Sequence, residues 1–325
     1  MKKILLILTA IFMVVVEAEA AVILDYADNQ PEGYPTVLAA HRFAQIVEKG
    51  TNGRVKVVVH ANAKLATEET IIKQMRYGTV DITRISVPYL ANAIREFQVF
   101  QLPYLFRNSE HMWKVLDGEI GERFLRLTNN YDLVAISWFD AGARNFYTTK
   151  KPIKTLSDFA GCKIRTQTSE ISFETVRRLG AMPMPIPYDK VSEALLSSEI
   201  DGAENNWSSY VAMGHNEAAK FLTETKHNYL PELQVISKEA LKELQDLSPA
   251  DKKVVFDAAK ASAKYERELW KKYEADAKQK AIASGTTVIK LSADELAKIK
   301  AALAPLEKAF MQNEQNIIQE IRKVQ

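Results

Sequence analysis

The spacing of apolar residues changes period several times along the first third of the chain. Residues 22–27 read as a strand, followed by the polar loop Asp28-Asn29-Gln30-Pro31-Glu32-Gly33-Tyr34-Pro35. Helical spacing then takes over at Val37, Ala40, Phe43, Ala44 and Val47 and closes at Gly50. After a turn at Asn52-Gly53, residues 54–60 alternate through Val55, Val57 and Val59, as a strand does. This β-α-β order predicts a layered α/β domain. Thr67-Glu68-Glu69 signals the start of a helix running through Tyr77 and ending at Gly78. A carboxylate at Glu68 can support that helix start through the macrodipole or face a ligand hydroxyl. Residues 80–86 read as a short strand, 100–106 as an apolar connection, 111–127 as helix and 133–139 as a buried strand.

The second half continues the alternation. Strand character at 146–149 precedes a short capped turn at 156–159, a strand at 163–167 and a helix at 168–179 that stops at Gly180. Met182-Pro183-Met184-Pro185-Ile186-Pro187-Tyr188 carries proline at alternate positions, which confines it to a sheet edge or an extended link. A helix at 191–198 leads through Glu199-Ile200-Asp201-Gly202 into Asn205-Asn206. Beyond Pro231 a strand at 234–237 precedes a predominantly helical tail, in which Pro249 opens a helix reaching residue 283. At about 1.5 Å per residue, that helix is long enough to bridge two lobes.

Composition adds compartment and excludes some partners. Lys2 and Lys3 precede an apolar run at 4–16, and Ala18-Glu19-Ala20 offers the small residues of a cleavage site. The run is shorter than the roughly 20 residues that span a bilayer, so a removed signal peptide is expected over residues 1–20. The mature protein would then start near Ala21 in the periplasm. A chain of 325 residues suggests two domains. With 43 Lys plus Arg against 41 Asp plus Glu, the net charge is +2, and neither nucleic acid nor an acidic membrane is indicated as a partner. The single cysteine, Cys162, cannot form an internal disulfide and is expected to be buried.

Candidate chemistry centres on residues 142–210. Arg165 ends an alternating run just after Gly161, so its guanidinium should emerge at a strand end, where open α/β sheets bind ligands. A guanidinium fork grips a carboxylate through two parallel hydrogen bonds. Arg144 and the Asn205-Asn206 pair, which can donate and accept, extend this to a site for a small polar anion. For any single arginine, a solvated surface ion pair is the alternative. There is no phosphate-binding Gly-rich loop, no His-Glu-x-x-His, no paired-cysteine spacing and no Gly-x-Ser-x-Gly elbow. The five histidines have no metal-ligand spacing, so neither metal nor cofactor is expected.

In this order the segments Gly53-Arg54-Val55-Lys56-Val57, Leu65-Ala66-Thr67-Glu68, Gly78-Thr79-Val80-Asp81, Leu102-Pro103-Tyr104-Leu105-Phe106, Gly161-Cys162-Lys163-Ile164-Arg165 and Ile200-Asp201-Gly202-Ala203-Glu204-Asn205 resemble one family. It is the DctP-like solute-binding proteins of tripartite ATP-independent periplasmic (TRAP) transporters, and the resemblance covers essentially the whole mature length. It implies an α/β, two-lobed periplasmic binding protein fold with a ligand cleft between the lobes, a long connecting helix and hinge closure. The boundaries expected are 21–143 plus about 231–271 for the first lobe, and 144–230 plus about 272–325 for the second. The family's carboxylate-binding arginine falls on Arg165, a second ligand arginine on Arg144 and its asparagine on Asn205. Gln167, Tyr188, Asn29, Glu68 and Ser86 match further binding positions. Ala66 departs from the glycine the family prefers before Glu68. Also implied are a monomer, membrane transporter subunits as partners, and no catalysis.

Glu204-Asn205-Asn206-Trp207-Ser208-Ser209-Tyr210, with Gly142-Ala143-Arg144 and Gly214-His215, resembles the subgroup associated with hexuronates such as glucuronate and galacturonate, although that subgroup commonly has proline where Ser208 stands. Trp207 or Tyr188 would then face the apolar side of a sugar, with core packing as the alternative for Trp207. Other organic anions (a dicarboxylate, a keto acid, sialic acid) stay open as ligands. A secreted sugar-acid enzyme would have to use Glu68 with Glu204.

Overall fold

The computed structural model describes residues 21–310 and 315–325; the signal peptide expected over residues 1–20 lies outside the described residues. Its strands are β1 (Val22–Ala27), β2 (Val55–His60), β3 (Ile82–Ser86), β4 (Leu133–Phe139), β5 (Ala143–Thr148), β6 (Lys163–Thr166), β7 (Met182–Pro185), β8 (Gly202–Asn205), β9 (Phe221–Tyr229), β10 (Glu232–Ser237) and β11 (Thr287–Ile289). They form two sheets, one in the order β2-β1-β3-β10-β4 and the other β11-β9-β5-β8-β6-β7. In the first sheet β1 runs parallel to β2 and β3, while β10 is antiparallel to β3 and β4. In the second, β5 is antiparallel to β8 and β9, and β6 is parallel to β7 and β8. The result is a mixed α/β molecule of two lobes, each built on its own sheet.

Among the described residues, three segments cross between the sheets. Asp140-Ala141-Gly142 joins β4 to β5, Leu230-Pro231 joins β9 to β10, and the helix Pro249–Ala283 runs the length of both. Its Val255, Ala258 and Ala259 pack with Tyr26, Phe43 and Ile82 of the first lobe. Further along, Ala277 and Ala281 pack with Tyr147, Tyr210 and Leu222 of the second. Small residues let this helix lie close to both sheets. Gly142 has φ +60, and a side chain there would meet Glu274 Oε1 at 2.6 Å, so both its backbone conformation and its closeness to the helix call for glycine. Glu266, on the same helix, accepts the Asp140 N–H at 2.9 Å.

The proline-rich run expected at an edge forms β7, the last strand of the second sheet. Met182 N–H donates to Cys162 O at 2.8 Å, so the methionines face β6 while the alternating prolines need supply no donor to it. Cys162 is buried, with its thiol against the Asp158 carbonyl at 3.4 Å.

Two expectations are corrected. The helix read over 111–127 is two helices, Ser109–Leu116 and Glu119–Leu127. Gly118 takes an extended conformation at the second N-cap, and a Cβ on Gly121 would stand 1.8 Å from the Leu116 carbonyl oxygen, so the chain turns too tightly for a continuous helix. Strand β9 was missed because its inward face is polar. Thr223 donates to Ile153 O at 2.7 Å and Asn228 to Gln101 O at 2.8 Å, with His227 buried between them in sequence.

Candidate functional site

The facing sides of the two sheets leave a narrow cavity between them. Gln30, Glu68, Arg84, Ser86, Tyr89 and Glu232 line it from the first lobe, and Arg144, Arg165, Gln167, Tyr188, Asn205, Asn206 and Ser209 from the second. The lobes touch around it. Tyr188 Oη donates to Gln30 Oε1 at 3.0 Å, Tyr34 and Ser209 share a hydroxyl contact at 3.0 Å, and Asn92 Nδ2 donates to Thr168 O at 2.8 Å.

Arg165 lies on β6, aligned with Ala203 of β8 and Met184 of β7, and is 1% exposed. Among the described residues only its Nε is engaged, donating to Ile186 O at 2.8 Å. Its Nη2 is buried without a partner among the described residues. Leaving charged donors dry and unpaired is costly, so this fork is arranged for an acceptor from outside the chain.

Arg144 on β5 is differently placed. Its Nε and Nη2 grip the Glu204 carboxylate, the latter at 2.8 Å, Nη2 also donates to the Glu204 carbonyl at 2.9 Å, and Nη1 reaches Asn205 Oδ1 at 3.1 Å. A bulge between Arg144 and Phe146, where β5 pairs with β9, sets this direction. Burial opposes ionisation of Glu204, yet Arg144 and His227 outweigh it and hold the carboxyl down at about 2. His227, stacked on Phe146 at 4.5 Å and 3.5 Å from Glu204, has its pKa lowered by burial. Arg144 thus enters the cavity as half of an ion pair. Asn205 Oδ1 is taken by Arg144 and by the Asn206 N–H at 2.9 Å, which leaves its Nδ2 as the group to donate.

The first lobe's wall is organised by Arg84, one of the residues that sequence reasoning did not single out. This guanidinium, 1% exposed, donates to Asp28 Oδ1 at 3.1 Å, Glu68 Oε1 at 2.7 Å and Glu232 Oε1 at 3.1 Å, and also contacts Asn29 Oδ1. Glu68 further accepts the Ser86 N–H at 3.0 Å and Asn29 Nδ2 at 2.9 Å. Ser86 Oγ donates to Glu232 at 2.7 Å. A signal for Arg84 was present: it lies two residues before Ser86 on one strand and so shares its face. Gln30, Tyr89, Glu232 and Ser209 carried no comparable local pattern.

The predicted residues therefore fall into three groups. Arg165, Arg144, Asn205, Glu68, Gln167, Tyr188 and Ser86 all reach the cavity. Asn29, half-buried, stands behind it and positions Glu68 and Arg84. Trp207 is not among the residues lining it: it starts the helix Trp207–Ala212 and packs edge-on against Tyr210 at 5.9 Å, with Lys278 Nζ 5.3 Å from its ring. Its polar-flanked position in sequence hid an i, i+3 aromatic pair that belongs to the second lobe's core. Among the described residues no group of three or more His, Cys, Asp or Glu side chains could hold a metal ion.

An unpaired guanidinium fork and a wall of acceptors, split between two lobes, suit reversible capture of a small acid. The family model described as bacterial extracellular solute-binding protein, family 7 (DctP) matches residues 26–314. The chain belongs to this family. Its members are extracytoplasmic solute-binding receptors rather than enzymes. A solute-binding protein of Chromohalobacter salexigens is 33% identical over 282 residues, covering 87% of this chain and 82% of the relative. Among solved structures, the TRAP periplasmic solute-binding protein of Xanthobacter autotrophicus Py2 with bound β-D-galacturonate superposes with a TM-score of 0.88 at 37% identity, covering 93% of this chain and 100% of the other. One from Chromohalobacter salexigens with bound D-glucuronate gives 0.89 at 31% identity, with the same coverage. Among the described residues no helix is long and apolar enough to cross a membrane.

Proposed function

We propose that this family member is the periplasmic receptor of a TRAP transporter for a hexuronate such as galacturonate or glucuronate, exported through a cleaved leader and acting as a monomer that hands its ligand to membrane subunits. The observation that carries the reading is the Arg165 fork, buried in the inter-lobe cavity with Nη2 unpaired. It takes the ligand carboxylate in a bidentate grip. Asn205 Nδ2, the Gln167 amide and the carboxylates held by Arg84 then offer donors and acceptors to ring hydroxyls. Tyr188 closes over the ligand from the second lobe, and its bond to Gln30 ties the lobes together. The structural neighbours with bound galacturonate and glucuronate support the same ligand class.

No chemistry is performed on the ligand. Each lobe supplies part of the site, so the ligand interacts better with the closed state and shifts the hinge equilibrium by that difference. The hinge acts at Asp140-Ala141-Gly142 and Leu230-Pro231, with the long helix as its third strut, which puts the lobe boundaries near residues 143 and 231. Closure removes water from the carboxylate and strengthens its pairing with Arg165.

The test is a thermal-shift screen followed by calorimetry, using D-galacturonate, D-glucuronate, a C4 dicarboxylate, a keto acid and sialic acid. A uronate should raise the melting temperature most, because it binds only the folded state. A dicarboxylate or sialic acid that binds while both uronates fail overturns the ligand assignment. Recovery of chemically altered uronate would overturn the receptor role.

A further inference from the structure

Glu232 is the first residue of β10, immediately after the Leu230-Pro231 crossing, and it lines the cavity while only 5% exposed. Its Oε1 takes both hydrogen bonds, from Ser86 Oγ at 2.7 Å and Arg84 Nη1 at 3.1 Å. Its Oε2 takes none among the described residues. The charges around it are unbalanced. Among the described residues Arg84 of β3 is the one cation bonded to it, and Arg84 also serves Asp28 after β1 and Glu68 at a helix start. Glu266 of the long helix adds a further carboxyl that feels Glu232, and the phenols of Tyr26 and Tyr34 lie within its field. Across the cleft, Arg144 of β5 is already matched by Glu204, and the charge of Arg165 on β6 is the one that the ligand carboxylate takes up. Three buried carboxylates around a single guanidinium leave two negative charges uncompensated if all are ionised, in a space built to receive another anion.

We propose that Glu232 takes up a proton as the receptor closes on its anionic solute, so that binding tightens as pH falls towards neutrality. This inference rests on the carboxylate-binding reading above. The proton comes from solvent and settles on Glu232 Oε2, which turns an acceptor into an O–H donor facing the ligand chamber. It returns to solvent when the lobes open. The enclosed ligand carboxylate raises the cost of an ionised Glu232 further, so the complex holds the proton more tightly than the free receptor does. With the lobes in contact, burial, against the pull of Arg84, places the Glu232 carboxyl at about 7, in range for such a linkage. A hexuronate carboxyl resembles other carboxyls adjacent to an electron-withdrawing carbon, with a pKa of about 3.5, and stays ionised throughout.

The test is calorimetry of the mature protein with D-galacturonate and D-glucuronate between about pH 6 and about pH 9, repeated in buffers of different ionisation enthalpy. Kd should be level on the acid side and rise above neutrality, with a limiting slope of about tenfold per pH unit. The heat should vary with buffer in the sense of proton uptake, a readout that needs no variant. Glu232→Gln, which mimics the protonated acid, should bind with a level pH profile and a buffer-independent heat. Binding with no buffer dependence in the wild-type protein overturns the proposal while leaving the uronate reading intact. So does a pH slope retained in Glu232→Gln but lost in Glu274→Gln, since burial also places that hinge-side carboxyl at about 7. Failure of both uronates to bind at any pH overturns the uronate reading and, with it, this inference.

Discussion

Arg84 and Arg165 occupy opposite walls of one cavity and are equally hidden from solvent, each 1% exposed, yet they are wired in opposite ways. Arg84 spends its donors on Asp28, Asn29, Glu68 and Glu232. Arg165 spends Nε on a backbone carbonyl and keeps Nη2 unpaired. A buried arginine surrounded by carboxylates organises a wall; one left short of acceptors is a receptor for an anion. Residue type and burial do not separate these roles, whereas the count of internal partners does. Arg144 falls between the two, since Glu204 neutralises it but it still faces the ligand chamber.

The largest effect expected from this contrast is on folding. Arg84→Met strands three buried carboxylates, and breaking such a buried network by removing one partner typically costs about 3–5 kcal/mol. Chemical denaturation should show that loss without ligand present. A midpoint close to the wild type would mean that Arg84 does not hold the wall together. Arg165→Ala should cost the unliganded protein less stability than Arg84→Met, because it loses the bond to Ile186 O but no internal ion pair. Its cost appears in calorimetry: removing one side of a buried charge pair is worth about 2–5 kcal/mol, or more than tenfold in Kd. Arg165→Lys should also bind weakly, since an ammonium cannot reproduce the planar fork.

Smaller changes sharpen the same comparison. Tyr188→Phe removes one bond between the lobes, worth about 0.5–1.5 kcal/mol, so Kd should rise by no more than about tenfold. A larger loss would show that the phenol contacts the ligand in addition to Gln30. Trp207→Phe should lower the melting temperature slightly and leave uronate affinity unchanged. A clear fall in affinity would return that ring to the ligand chamber, contrary to its packing on Tyr210.

Much of the fold was readable because local pattern and tertiary demand agreed. The alternation in β2, the short apolar runs of β1 and β4, the proline edge, and the helix opened by Pro249 each follow from period and breakers. Arg165 stood out as the last charged residue of a short strand that begins after a glycine turn, and it lines the inter-lobe cavity. What stayed hidden depended on partners far away in sequence. Strand β9 buries Thr223, Thr225 and His227: Thr223 donates to Ile153 O and His227 meets Glu204, both far off in sequence, while Thr225 and His227 contact each other. Glu232 gains its meaning from Arg84, 148 residues earlier. Only the shared strand face of Arg84 and Ser86 offered a local clue to the first lobe's wall.

The prolines of β7 bear on life outside the cytoplasm. An extended stretch of another polypeptide arriving at this border would look for amide hydrogens to continue the sheet, and Pro183 and Pro185 have none to give. The opposite border is the three-residue strand β11, too short to template a long ladder. With one lone thiol and no covalent cross-link available within the chain, the receptor guards against sticking to its neighbours by leaving both margins of its second sheet unable to recruit them.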